Sequence, residues 1–129
     1  MGDIVVGVDG SAASLAALRW AVEEAALRDV SVEACHAWHV AYTGDGAPPD
    51  PVAVEAAARR VLDAAVGAVE AERLPKPVVR TLIRGVAASA LLDAGRGAAL
   101  LVLGGANGAV ARHVLAYAPC PVVIVTGAS

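Results

Sequence analysis

With 129 residues the chain has room for one hydrophobic core that needs neither disulfides nor a structural metal, so residues 1–129 are read as a single domain. A net charge of −3 with one lysine (Lys76), and two Trp, two Tyr and no Phe, leave neither a basic stripe for a phosphate backbone nor a platform for stacking bases, which excludes nucleic acid as a partner. A hydrophobic fraction of 57% raises the question of a membrane span, but Gly104, Gly105, Gly108, Pro119 and Pro121, with Arg112 among them, cut residues 100–129 into pieces too short to cross a bilayer. The opening Met1-Gly2-Asp3 has no basic segment ahead of an apolar one, so no secretory signal is expected and the cytoplasm is the expected location.

In chain order, residues 4–8 read as a short apolar strand. Asp9-Gly10-Ser11 follows, with Ser11 placed to cap a helix over residues 13–28 whose apolar positions Leu15, Leu18, Val22 and Ala25 recur at helical spacing. Residues 30–37 make the second strand. A Gly- and Pro-rich loop over residues 42–49 ends in a sharp start signal, Asp50 as cap and Pro51 at the first helical position. The helix that follows turns Val54, Ala58, Val61, Ala65 and Val69 inward, and Glu55 and Arg59 form an i,i+4 pair on the other face. Pro75 and Pro77 close it, residues 78–83 form the third strand, and residues 87–94 form a third helix with Gly95 and Gly97 at its exit. Residues 100–103 are the fourth strand, residues 109–117 a last short helix stopped at Pro119, and Val122, Val123, Ile124 and Val125 the fifth strand.

Strands that are continuously apolar and alternate with helices imply a parallel sheet covered on both faces, an α/β doubly wound fold. In such sheets ligands bind beyond the carboxyl ends of the strands where the strand order reverses, which draws attention to Asp9-Gly10-Ser11 and to Gly104, Gly105, Asn107, Gly108 and Ala109. The second stretch takes the form strand, glycine turn, helix start, an arrangement that points backbone N–H groups outward at the positive end of a helix. It contains no Lys, Ser or Thr from Gly104 to Ala111, so an anion there is held by backbone amides alone, with Arg112 the nearest cation.

Each of these residues also has a purely structural reading. Asp9 serves either as turn-former into the first helix or as a ligand contact, and both stay open. Gly104 and Gly105 are read first as the means by which the chain leaves a tightly packed strand, and second as phosphate contacts. Cys35 and Cys120 fall in runs that read as strands, where cysteine behaves as a small apolar residue. His36 and His39 lie on opposite strand faces with no fourth ligand near, so no metal site is expected, and His113 reads as a surface residue. No Gly-Lys-Ser/Thr, no G-x-G-x-x-G after the first strand, and no assembly of nucleophile, base and orienting group is present, so an enzymatic role is not expected.

Val5-Val6-Gly7-Val8-Asp9-Gly10-Ser11, the helix around Ala16-Ala17-Leu18-Arg19-Trp20-Ala21, the segment His36-Ala37-Trp38-His39, and Tyr117-Ala118-Pro119-Cys120-Pro121-Val122-Val123-Ile124-Val125 resemble universal stress proteins of the UspA type. The resemblance covers nearly the whole chain. It implies a five-stranded parallel sheet in the order 3-2-1-4-5 and a homodimer paired through the last strand, Val122, Val123, Ile124 and Val125. It also implies an adenine-nucleotide site for ATP, AMP or a cyclic nucleotide. Many members bind ATP with an acid after strand one, a backbone contact at the end of strand two, and a motif after strand four of Gly, two residues, Gly, nine residues, Gly, then Ser or Thr.

Asp9 matches the acid, Ala37 falls near the strand-two contact, and Gly104 matches the first glycine. Aligned back from Ala118-Pro119-Cys120-Pro121, however, Gly108 takes the place of the last glycine and Ala109 that of the hydroxyl residue, so the phosphate loop lacks about ten residues. A triphosphate needs many converging donors, a cation or a metal. The expectation is therefore a dimeric interaction or signalling module in which tight ATP binding is weakened or lost, the alternative being an adenine-nucleotide sensor.

Overall fold

The computed structural model describes residues 2–41, 44, 46–72, 77–105 and 108–126. Its apolar runs become five strands, β1 (Ile4–Gly7), β2 (Val32–Trp38), β3 (Val78–Arg84), β4 (Leu100–Gly104) and β5 (Val122–Val125). Between them lie four helices, α1 (Ala12–Arg28), α2 (Pro51–Glu70), α3 (Ala87–Ala94) and α4 (Ala109–Tyr117). The strands form one parallel sheet in the order β3-β2-β1-β4-β5, as the resemblance implied.

Central β1 explains why the strands carry no polar alternation. Ile4 and Val6 face α1 and α2 with Leu18, Val22, Leu62, Val66 and Val102, while Val5 faces the opposite layer with Cys35, Leu91, Leu101 and Val114. Both faces of the strand are therefore dry, which is the condition under which a parallel sheet reads as an unbroken apolar run.

The helix starts follow the expected chemistry. Ser11 Oγ accepts the Ser14 N–H at 3.1 Å, and Asp50 Oδ1 accepts the Val52 N–H at 3.0 Å with Pro51 at the first position of α2. α1 ends at Asp29, whose left-handed backbone (φ 56°) turns its N–H onto the Ala25 carbonyl.

Some boundaries differ from the sequence reading. Val30 is drawn into the end of α1 by its N–H to the Ala25 carbonyl, so β2 begins at Val32, opposite Ile4. β2 and β3 run on to Trp38 and Arg84, which pair with each other. α2 stops at Glu70, well before Pro77, and Pro75 lies outside the described residues. Cys120 is not in a strand: it sits in the turn before β5, between Pro119 and Pro121, neither of which has an N–H for a ladder. Among the described residues no helix is long and apolar enough to cross a membrane.

Candidate functional site

The chain leaves β1 toward α1 on one face of the sheet and leaves β4 toward α4 on the other, so the crevice of an open α/β sheet falls between the carboxyl ends of these two neighbouring strands. A cavity of about 470 Å³ opens there. It joins Asp9, Ala37, Gly104, Gly105, Gly108 and Ala109, six of the residues singled out from sequence. Gly10 and Ser11 stand behind Asp9 outside the lining, and Asn107 lies outside the described residues.

The wall after β1 is built from polar side chains. Asp9 Oδ1 accepts the Ser11 N–H at 2.9 Å, and the buried Ser14 hydroxyl donates to the Ser11 carbonyl at 3.0 Å. Partial burial pushes the Asp9 carboxyl up, but hydrogen bonds from Ser11 and Ser14 outweigh it and hold the group below its ordinary value. Asp9 is thus a fixed anion at the rim. Gly10 supplies the turn with φ 86°, and a Cβ there would lie 3.2 Å from Val61 Cγ1.

The wall after β4 is built from backbone. A Cβ on Gly104 would lie 2.2 Å from the Ala13 carbonyl oxygen and 2.7 Å from the Ser14 nitrogen, so only glycine lets β4 approach α1 this closely. Gly105 turns left-handed (φ 80°) and donates its N–H to the Val125 carbonyl at 3.0 Å. Gly108 opens α4 in extended conformation with no side-chain cap. The first N–H groups of α4 therefore have no intrahelical partner and face the cleft at the positive end of the helix. Among the described lining residues none is Lys or Arg, and Arg112 is exposed beyond the cleft.

Several lining residues were not singled out as ligand contacts in the sequence. His36 contributes an imidazole whose Nδ1 lies 2.7 Å from the Val8 carbonyl oxygen. Cys35 lies in the wall below it, its thiol pushed up by burial and then by the neighbouring Glu33 carboxylate, and so held as an unreactive thiol. Ser14, Leu91 and Leu103 also line the cavity. The only available signal was position, His36 adjoining Ala37 and Ser14 following Ser11 by one helical turn. His39 is exposed past the end of β2, and the described residues bring together no group of His, Cys, Asp and Glu able to hold a metal. His113 is exposed on α4, its ring 4.9 Å from that of Tyr117.

The sequence pattern of the Universal stress protein family matches residues 1–126. The chain belongs to that family. Universal stress protein Rv3134c of Mycobacterium tuberculosis is 31% identical over 133 residues, which cover 95% of this chain and 47% of that protein. The chain thus spans about half the length of the curated relatives it matches. A universal stress protein family structure from Burkholderia pseudomallei superposes with a TM-score of 0.76 at 29% identity, covering 96% of this chain and 95% of that one. The universal stress protein of Archaeoglobus fulgidus in complex with dAMP does so with a TM-score of 0.75 at 30% identity, covering 96% and 97%.

Proposed function

We propose that this universal stress protein is a non-enzymatic, cytoplasmic interaction or signalling module that works as a homodimer and holds an adenine nucleoside monophosphate in the cleft, with ATP bound weakly or not at all. One observation carries the reading. A single cavity connects a fixed carboxylate and the end of β2 to the uncapped start of α4, across a turn with neither cation nor hydroxyl. Its volume, about 470 Å³, lies in the range of small-ligand sites.

The anionic rim at Asp9 disfavours phosphate on that side, so the phosphate goes to the α4 amides and the nucleoside to β1 and β2. Free helix amides can take up one phosphoryl group, whereas the charge of a triphosphate exceeds what the Gly104 to Ala109 turn offers. The Archaeoglobus relative, at 30% identity, is in complex with dAMP, itself an adenine monophosphate. Calorimetric titration of the full chain decides the point: AMP is expected to bind more tightly than ATP, and ATP binding at micromolar affinity or tighter overturns the reading.

Pairing through β5 rests on the sheet order. β5 is an edge strand of four apolar, half-buried residues, and an apolar edge needs cover. Light scattering is expected to give a dimer, and monomer alone at micromolar concentration contradicts it.

A further inference from the structure

We propose that His36 reads the base of the bound nucleotide, its Nε2 accepting a hydrogen bond from the exocyclic amino group of adenine and so selecting adenine over hypoxanthine. The inference rests on the monophosphate reading of the same cleft. His36 is half-buried near the carboxyl end of β2 and lines the cavity. Its Nδ1 lies 2.7 Å from the Val8 carbonyl oxygen, and a carbonyl only accepts, so Nδ1 carries the proton. In the neutral ring Nε2 is then an acceptor. Among the described residues no group is hydrogen-bonded to it, and no buried side-chain nitrogen or oxygen lacks a partner, so Nε2 is reached by solvent.

Position assigns the base to this end. β2 is separated from β4 by β1 alone, about 10 Å at the usual strand spacing, comparable to the distance from base to phosphate in a mononucleotide. A ligand anchored by its phosphate on α4 therefore brings its base to β2. The polar side chains waiting there are both acceptors, the Asp9 carboxylate and His36 Nε2. An amino group suits them, whereas the carbonyl oxygen of hypoxanthine would set lone pair against lone pair.

The test compares AMP with IMP on the full chain, at a pH where imidazole is neutral, in the wild type and in His36→Asn, whose amide N–H keeps a donor for Val8 but offers nothing at the Nε2 position. Wild type is expected to prefer AMP by roughly tenfold or more, and the variant to lose AMP affinity until the two nucleotides bind within about twofold of each other. Equal wild-type affinities, or an equal loss for both nucleotides in the variant, overturn the role of His36 while leaving the site standing. Binding of neither nucleotide overturns the monophosphate reading itself. A readout without mutation uses long-range 1H–15N spectra of the imidazole, in which the Nε2 resonance of His36 should shift on adding AMP, and an unmoved resonance in AMP-saturated protein contradicts the proposal.

Discussion

The two turns that frame the cleft perform the same local task, ending a buried strand and starting a helix, in opposite ways. After β1 the chain uses side chains: Asp9 takes the Ser11 N–H, Ser11 takes the Ser14 N–H, and the Ser14 hydroxyl closes onto the Ser11 carbonyl. After β4 it uses almost none. Gly104 lets backbone meet backbone, Gly105 turns left-handed, and Gly108 opens α4 without a cap. The first turn satisfies its own polar groups and presents one oriented carboxylate. The second leaves the first amides of α4 for whatever arrives, and its described residues offer only main-chain groups. A site with one specific wall and one sparse wall favours a ligand that is rich in recognition features at one end and modestly charged at the other.

The comparison breaks most visibly at Gly104. If its role is close approach, Gly104→Ala puts a methyl group within 2.2 Å of the Ala13 carbonyl oxygen, and urea unfolding should show a loss of about 3 kcal/mol. A loss well under 1 kcal/mol in the same experiment means that β4 and α1 can slide apart, and the backbone wall is then less constrained than described.

Ala109→Ser sharpens the contrast from the other side. Ala109 is exposed at the first position of α4 and lines the cleft, so a hydroxyl there adds a donor toward the phosphate without disturbing the core. AMP affinity by calorimetry should rise roughly fivefold, about 1 kcal/mol, with the unfolding midpoint unchanged. No gain would remove the phosphate from the start of α4.

The smallest effect concerns Asp9. Its carboxyl is held below the ordinary value of 3.8, so its hydrogen bonds contribute stability that is present above that pH and is lost as the pH falls through the lower folded value. Asp9→Asn should therefore cost a small amount of stability near neutrality and converge on the wild type as the pH falls below about 4, flattening that part of the acid limb, as read from urea midpoints across pH. An unaltered acid limb would mean that the Ser11 and Ser14 contacts do not favour the ionised form.

How far the sequence could be read follows the same division. Both side-chain caps and the glycines of the cleft were legible because caps and glycine turns are local signals tied to particular residue types, whereas the strand order and the place of Ala37 came from the family resemblance. His36, Ser14 and Cys35 were not read as lining residues, because a cleft wall is assembled from segments that meet only once the crossovers have stacked the strands. Helix faces were read by hydropathy. In α1 the expected Leu18, Val22 and Ala25 are buried, but Leu15 is half-buried and Ser14, Ala17 and Ala21 join the inner face, since small side chains permit close approach to the sheet yet carry little hydropathic contrast. In α2 the expected Ala58, Ala65 and Val69 are buried, while Val54 and Val61 are half-buried and Leu62 and Val66 complete the inner face. Strand ends shifted because register with the neighbouring strand, as at Ile4 and Val32, decides where a ladder begins.

The most direct test of a phosphate on the backbone wall and a nucleoside on the side-chain wall is an amide 1H–15N titration of the full chain with AMP and with ATP. The account predicts saturable shifts at the Ala109, Val110 and Ala111 amides and at Ala37, reached at lower concentration with AMP than with ATP. Amides of α4 that stay unmoved while AMP saturates Ala37, or saturation by ATP ahead of AMP, would contradict it.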